Sequence, residues 1–482
     1  MEKLRTVLTD SSLFRRCYIY CLFFCNISFI QVLAYASLIP LALWGVFLLF
    51  YNEKNRKVVS KTRMGVWLFA FIIFSSVTAV IHIRSNFFYN LIVQLHVSIC
   101  FFVFYAMHTE RHLNFRKELY YVSRFVMYAT TIVGVLGLAC LMAGISFEVM
   151  SIKFIIYENR FTGLYSNPNI SGFVSVVACV CVHLLTKSNL LDISMMPRIS
   201  RIWLFSCVAV ASITLFLSDS NGAIILFIGY VGMYLMYKMF SADHGYNKKQ
   251  IAIRLISLVF VGVFVVVSAF FVRYFCQVGF TGILETADVV TSSGEEEHVF
   301  SATERITFGH LNANLDSGRF KLWRQAASLF SDFPLFGIGK GNVYDYGANK
   351  FDNGIHFADI YGNAWSWFAT DFHNGYATIL VCSGVFGFVL FSIFGLRFAK
   401  HIFMHSFKDK NLSNSTLPCL VSFLSAYLVY AFFEKALIYD ISFTVMFFWL
   451  VMGYTSCFLC MYEPDHNDNI SIFKRRIKKK LF

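Results

Sequence analysis

Between the apolar runs of this 482-residue sequence, polar side chains that could do chemistry concentrate in four short stretches. His373 lies between Asp371 and Asn374 at the start of a long apolar run, and a neutral imidazole there can accept a proton near pH 7. Arg160 opens NRFTGLYSNPNISGF (159–173) and carries a planar cation with five donors suited to phosphate oxygens. In the same stretch Gly163 permits tight backbone approach, and Asn167, Pro168 and Asn169 make a turn that starts the next helix. Arg319 begins the helical stretch of GRFKLWRQAASLFSD (318–332), where it could share a phosphate with unpaired backbone amides. There Phe320, Trp323, Ala327 and Phe330 recur at helical spacing, Lys321 and Arg324 fall on other faces, and Pro334 ends the helix. Each group also has a plainer reading: Arg160 as a headgroup anchor, Arg319 as a solvated cation, His373 as a structural histidine.

Other patterns carry less. Gly337, Gly339 and Gly341 in FPLFGIGKGN (333–342) resemble a dinucleotide loop, but no strand precedes them, which argues against a nucleotide. The turn Ser218-Asp219-Ser220-Asn221-Gly222 has the composition of an ordinary helix connection. Cys457 and Cys460 form a C-x-x-C on an apolar helix with no second pair and no nearby His, which disfavours zinc or redox chemistry. The sequence offers no clear carboxylate cage for a metal.

The elements that must position these groups are membrane helices. At 57% hydrophobic, 18% aromatic and 14% charged residues, the chain cannot bury its apolar surface as a soluble domain. Its mean hydropathy of +0.61 agrees, and single-span anchors and peripheral enzymes are excluded. Spans of about 20 apolar residues are predicted at 17–34, 36–51, 64–83, 87–107, 121–144, 169–186, 203–218, 222–240, 253–275, 375–396, 416–433 and 441–462. The first two come from splitting one run near Ala36 to Pro40. The N-terminal run is read as retained spans rather than a signal peptide. With the N-terminus inside, 30 of the 41 Lys and Arg fall in inner segments, so the positive-inside rule puts both termini in the cytoplasm.

Four regions follow: spans 1–9 over 1–275, a large outer loop over 276–374, spans 10–12 over 375–462, and a basic tail over 463–482. Lys474 to Lys480 would lie against anionic lipid headgroups, and no nucleic-acid partner is needed to explain them. Nearly all of the 13 cysteines sit in apolar runs as small hydrophobes. No charged residue falls securely at a span midpoint, since Arg124, Arg254, Arg273 and Glu434 lie close enough to ends to snorkel. An ion-coupled transporter therefore lacks an obvious relay.

In this order and topology, Arg160 to Asn169, Gly318 to Trp323, Pro334 to Gly341 and His373 to Gly387 resemble the O-antigen ligase and polymerase superfamily. The spacing of His373 and Gly384 is similar to that of the ligases. The resemblance implies an all-α polytopic membrane fold, GT-C-like, with about 12 transmembrane helices and one large, partly helical periplasmic loop between spans 9 and 10. It implies an enzyme of the bacterial inner membrane with a periplasmic active site. That enzyme would transfer a glycan from an undecaprenyl-diphosphate carrier to lipid A-core, with inversion and without a metal or other cofactor. His373 would be the general base, Arg160 and Arg319 would bind the diphosphate, and Gly163, Asn167, Pro168, Asn169, Gly337, Gly339, Gly341, Asn374 and Gly384 would shape the loops and turns. Many ligases of the family carry Ser-Arg-Gly where this chain reads Ser220-Asn221-Gly222, leaving Lys340 or Arg324 to supply the cation. The alternatives are a repeat-unit polymerase with a carrier-linked glycan as acceptor and, from another class, a polysaccharide or lipid transporter.

Overall fold

The structure is a computed structural model that describes residues 2–83, 86–110, 113–145, 148–149, 152–153, 155–157, 160–186, 199–240, 319–351, 372–406 and 415–461, with short pieces of 253–275. The described elements are helices α1 (Glu2–Leu8), α2 (Ser11–Phe24), α3 (Gln31–Arg56), α4 (Val58–Lys61), α5 (Gly65–Ile81), α6 (Phe87–Ile99), α7 (Phe115–Met142) and α8 (Pro168–Thr186). They continue with α9 (Arg201–Leu217), α10 (Asn221–Phe240), α11 (Arg319–Asp332), α12 (Val343–Lys350), α13 (Gly375–Ser406), α14 (Leu417–Tyr430) and α15 (Phe443–Met461). Between α7 and α8 lie two antiparallel hairpins, β1 (Glu148–Val149) with β2 (Ile152–Lys153) and β3 (Ile155–Tyr157) with β4 (Arg160–Gly163). The predicted outer segment 145–168 thus contains strands that helical periodicity does not reveal.

Seven helices among the described residues are long and apolar enough to cross a membrane, and α5, α9 and α14 are shorter apolar helices. The architecture is that of an all-α multi-pass membrane protein. Side chains sort by partner: Val32, Leu33, Ile39, Leu43 and Phe50 of α3 face outward, whereas α8, α14 and α15 form the core. In that core Trp449 packs against Phe101, Tyr105 and Phe394. At the end of the bundle opposite the hairpins, fully buried Arg15 lies between Glu110 (2.6 Å) and Glu118 (2.8 Å), a pairing that compensates a buried charge.

The first break falls elsewhere than predicted. Pro40 lies inside continuous α3, and the chain turns at Cys25 to Ile30 instead. Pairing with a distant segment fixes that turn: Ile27 bridges Tyr165, Ser28 N–H donates to Leu164 O (3.1 Å), and Ser166 N–H donates to Asn26 O (2.9 Å). Pro40 removes one helical donor in an outward-facing helix, a loss that membrane helices tolerate.

Helix α13 is broken within its apolar run. Gly384 has φ 63° and ψ −171°, which interrupts the i to i−4 ladder. The glycine-rich segment 333–342 repairs it: Ile338 and Gly339 N–H donate to the carbonyls of Val381 (3.0 Å) and Cys382 (2.9 Å), while Val385 and Phe386 N–H donate to Pro334 O (2.8 Å) and Leu335 O (3.3 Å). Those four groups would otherwise have bonded one another within the helix. A Cβ on Gly384 would stand 2.2 Å from Leu335 O, and one on Gly337 2.6 Å from the Cys382 carbonyl carbon, so both positions require glycine.

Helices α5 and α6 hold the other side of this segment. Thr78 donates to Phe336 O (2.6 Å), Asn90 Oδ1 accepts from Gly341 N–H (2.7 Å), and His82 bonds Gly337 O (3.2 Å) and the Tyr346 hydroxyl (2.9 Å). Gly337 O can only accept, so His82 Nε2–H donates to it and the opposite Nδ1 accepts from the Tyr346 hydroxyl.

Candidate active site

The end of the bundle that carries the hairpins gathers side chains from four separate parts of the chain. His373 precedes α13 with φ 41°, a strained backbone for a residue other than glycine. The next residue fixes it there: Asn374 Oδ1 accepts from the N–H groups of Tyr376 and Ala377, both at 3.0 Å, which caps α13. Gly375 N–H then donates to Ala431 O (2.8 Å), joining the start of α13 to the connection between α14 and α15.

That connection supplies Glu434, the hub of the cluster. Its Oε2 accepts from His373 Nδ1 at 3.0 Å. Its Oε1 accepts from Asn169 Nδ2 at 3.3 Å and lies 3.8 Å from Arg319 Nη2. Asn169 Oδ1 in turn accepts from Arg160 Nη2 at 2.7 Å, and Arg160 Nε donates to Ser218 O at 2.9 Å. One imidazole and two guanidiniums therefore meet around a single carboxylate, directly or through one amide.

The surrounding elements aim these groups. Asn167 Oδ1 accepts from Asn169 N–H (2.7 Å), an Asx turn that leads into Pro168 at the start of α8. Gly163, at φ 60°, lets β4 press against α7: a Cβ on Gly137 would stand 3.0 Å from Gly163 Cα. Arg319 is the first residue of α11, and its guanidinium lies over the Phe433 ring at 5.9 Å. Its Nε is buried with no hydrogen-bond partner among the described residues, leaving donor capacity at the cluster. The turn 218–222 closes the edge, where a Cβ on Gly222 would stand 3.8 Å from Glu434 Cγ and Asn221 is exposed beside it. Side-chain exposures of 20% for His373, 17% for Arg319 and 11% for Glu434 describe groups recessed yet reachable.

His373, Arg160, Arg319, Asn167, Pro168, Asn169 and Asn374 thus lie together at this end of the bundle. Arg324 is exposed on α11, and Lys340 lies in the turn Lys340–Asn342 beside Cys382. Gly337, Gly339, Gly341 and Gly384 shape the repair of α13 rather than the cluster. The apolar stripe expected on α11 is also shifted: Leu322, Gln325, Ala326 and Leu329 are buried, whereas Phe320 and Ala327 are exposed. Packing against α13 selects that face. Glu434 is the residue the sequence hid, since it reads as a span-end carboxylate free to snorkel but is 9% exposed and paired with His373 and Arg319. Asp371, Gly318 and the parts of the predicted loop over 276–318 and 352–371 lie outside the described residues, as does most of predicted span 253–275.

The family model described as O-antigen ligase matches residues 206–392. Residues 206–392 thus carry the similarity to the O-antigen ligase and polymerase superfamily. The matched segment runs from α9 into α13 and contains the turn 218–222, Arg319, His373 and Gly384. Arg160, Asn169 and Glu434 lie outside it, yet the fold delivers them to the same cluster. No curated protein matches the chain. The family and the apolar helices together describe a multi-pass bacterial membrane protein, a glycosyltransferase of the ligase or polymerase type.

Proposed function

We propose that this protein is an O-antigen ligase that transfers a glycan from an undecaprenyl-diphosphate carrier to lipid A-core in lipopolysaccharide biosynthesis. The observation that carries the reading is the meeting of His373 with Arg319 and Arg160 at one end of the bundle. A transfer from a diphosphate needs a base for the acceptor and cations for the leaving group, and these residue types supply both.

With Nδ1–H donated to Glu434, the lone pair of His373 lies on Nε2 and can take the proton of the acceptor hydroxyl. The hydroxyl oxygen attacks the anomeric carbon, the bond from that carbon to the diphosphate oxygen breaks, and the diphosphate leaves with the electron pair. Arg160 and Arg319 neutralise the charge that builds on it. Attack from the face opposite the leaving group inverts the anomeric configuration. The arginines take the leaving-group role, so a metal-free reaction belongs to the proposal. The positive-inside distribution supports cytoplasmic termini and a periplasmic active site in the inner membrane.

One observation favours a second reading, a repeat-unit polymerase. Asn221, at the rim of Glu434, stands where many ligases have arginine. The test presents purified protein and carrier-linked glycan with lipid A-core in one reaction and further carrier-linked repeat in another. Product with lipid A-core alone supports the ligase, product with carrier-linked repeat alone supports the polymerase, and no product in either contradicts both.

A further inference from the structure

We propose that Glu434 is the positioning residue of this transfer, holding His373 in the tautomer that acts as base and fixing Arg319 beside it. The inference rests on the proposed glycosyl transfer and assigns a role to a residue outside the segment that matches the family.

Three features of the geometry carry it. First, the two carboxylate oxygens divide their work: Oε2 takes His373 Nδ1–H, and Oε1 faces Asn169 and Arg319. A carboxylate on Nδ1 leaves the opposite ring nitrogen, Nε2, as the proton acceptor and stabilises the imidazolium formed when the acceptor is deprotonated. Second, the backbone around Glu434 is anchored by hydrogen bonds. The residue lies on the short connection between α14 and α15, where Ala436 N–H donates to its own carbonyl at 2.8 Å and Gly375 N–H to that of Ala431 at 2.8 Å. The base and its partner are thereby tied backbone to backbone. Third, a carboxylate recessed at 9% exposure is costly without compensation, and the groups that compensate it are functional candidates: an imidazole, a guanidinium and the amide that holds the second guanidinium.

Among the described residues, the charged and titratable groups around this pair include Arg319 from α11, Tyr430 from α14, Arg160 from β4 through Asn169, and Asp219 in the turn whose Ser218 carbonyl accepts from Arg160. The neighbouring Lys435 pairs with Asp440 at 3.5 Å. Removing the negative charge at 434 leaves cations around His373, so its protonated form loses support and its titration moves to lower pH.

The experiment compares Glu434→Gln and Glu434→Asp with the wild-type protein in proteoliposomes, measuring kcat and donor KM across pH. For Glu434→Gln the expected results are a kcat lower by about 10²-fold, within the range a general base contributes, and an acidic limb displaced to lower pH by about 1. Donor KM should change far less than kcat. Glu434→Asp keeps the charge on a shorter arm, so the wild-type limb should return together with part of the lost kcat. A Gln variant with wild-type kcat, or with reduced kcat and an unmoved limb, would overturn the assignment. Should the Gln variant fail to accumulate in the membrane, the Asp variant decides: a wild-type limb is expected, and a displaced limb contradicts the proposal. Wild-type protein inactive with both acceptors would remove the proposed transfer itself, whereas active wild-type protein with unmoved variant profiles would remove only the role of Glu434.

Discussion

At the scale of single residues, the cluster separates what residue type announces from what only packing creates. His373, Arg160 and Arg319 are legible because they stand beside turn residues at the edges of apolar runs. Glu434 is not, because its partners Asn169, Arg319 and His373 lie 265, 115 and 61 positions away and no local spacing joins them. The available signal was a carboxylate in the short interruption between two apolar runs, next to a lysine already paired with Asp440. Arg319 invites a sharp test. An ammonium cannot reproduce the planar fork that reaches toward Glu434. Arg319→Lys should lower kcat/KM for the carrier-linked donor by more than about tenfold, the size of one charge-assisted contact. Steady-state kinetics at varied donor checks this, and a change below twofold would speak against a diphosphate role.

At the scale of elements, helix positions were largely readable and helix interruptions were not. Long apolar runs specify helices, but within a run that is apolar throughout, periodicity cannot show where the backbone leaves the helix. Gly384 is such a place, and its meaning appears only with 333–342 set against it. The same limit explains Pro40 and the turn at Cys25 to Ile30, which depends on strand-like pairing with 164–166. On α11, two apolar stripes compete and packing chooses Leu322, Ala326 and Leu329. The repaired break predicts a local intolerance. In Gly384→Ala the new methyl meets Leu335 O at 2.2 Å at a backbone φ of 63°, so either the segment 333–342 withdraws or α13 straightens. Both outcomes strand hydrogen-bonding groups at membrane depth, at a cost of several kcal/mol. Thermal unfolding in detergent should show a markedly lower midpoint than for Gly395→Ala, where a Cβ meets nothing within 4 Å. Equal midpoints would mean that the break is incidental.

At the scale of the whole molecule, charge asymmetry and the two ends of the bundle give one orientation. Asn221 is exposed at the end that holds Glu434, and Lys61 is exposed at the other, near the Arg15 ion-pair cluster. Labelling of intact spheroplasts with a membrane-impermeant maleimide should modify Asn221→Cys, whereas Lys61→Cys should react only after permeabilisation. The reverse pattern would place the cluster in the cytoplasm. The arginine-based leaving-group role also predicts that transfer survives EDTA within about twofold, because cationic side chains can carry the charge a metal otherwise would. Loss of activity restored by a divalent cation would contradict a metal-free reaction.

The most direct test of the account is single-turnover transfer by His373→Ala, with binding of the carrier-linked donor measured on the same preparation. The account predicts donor binding close to wild type and transfer slower by at least about 10²-fold, since His373 acts on the acceptor proton while the arginines hold the diphosphate. Transfer at the wild-type rate, or loss of donor binding in parallel with transfer, would contradict it.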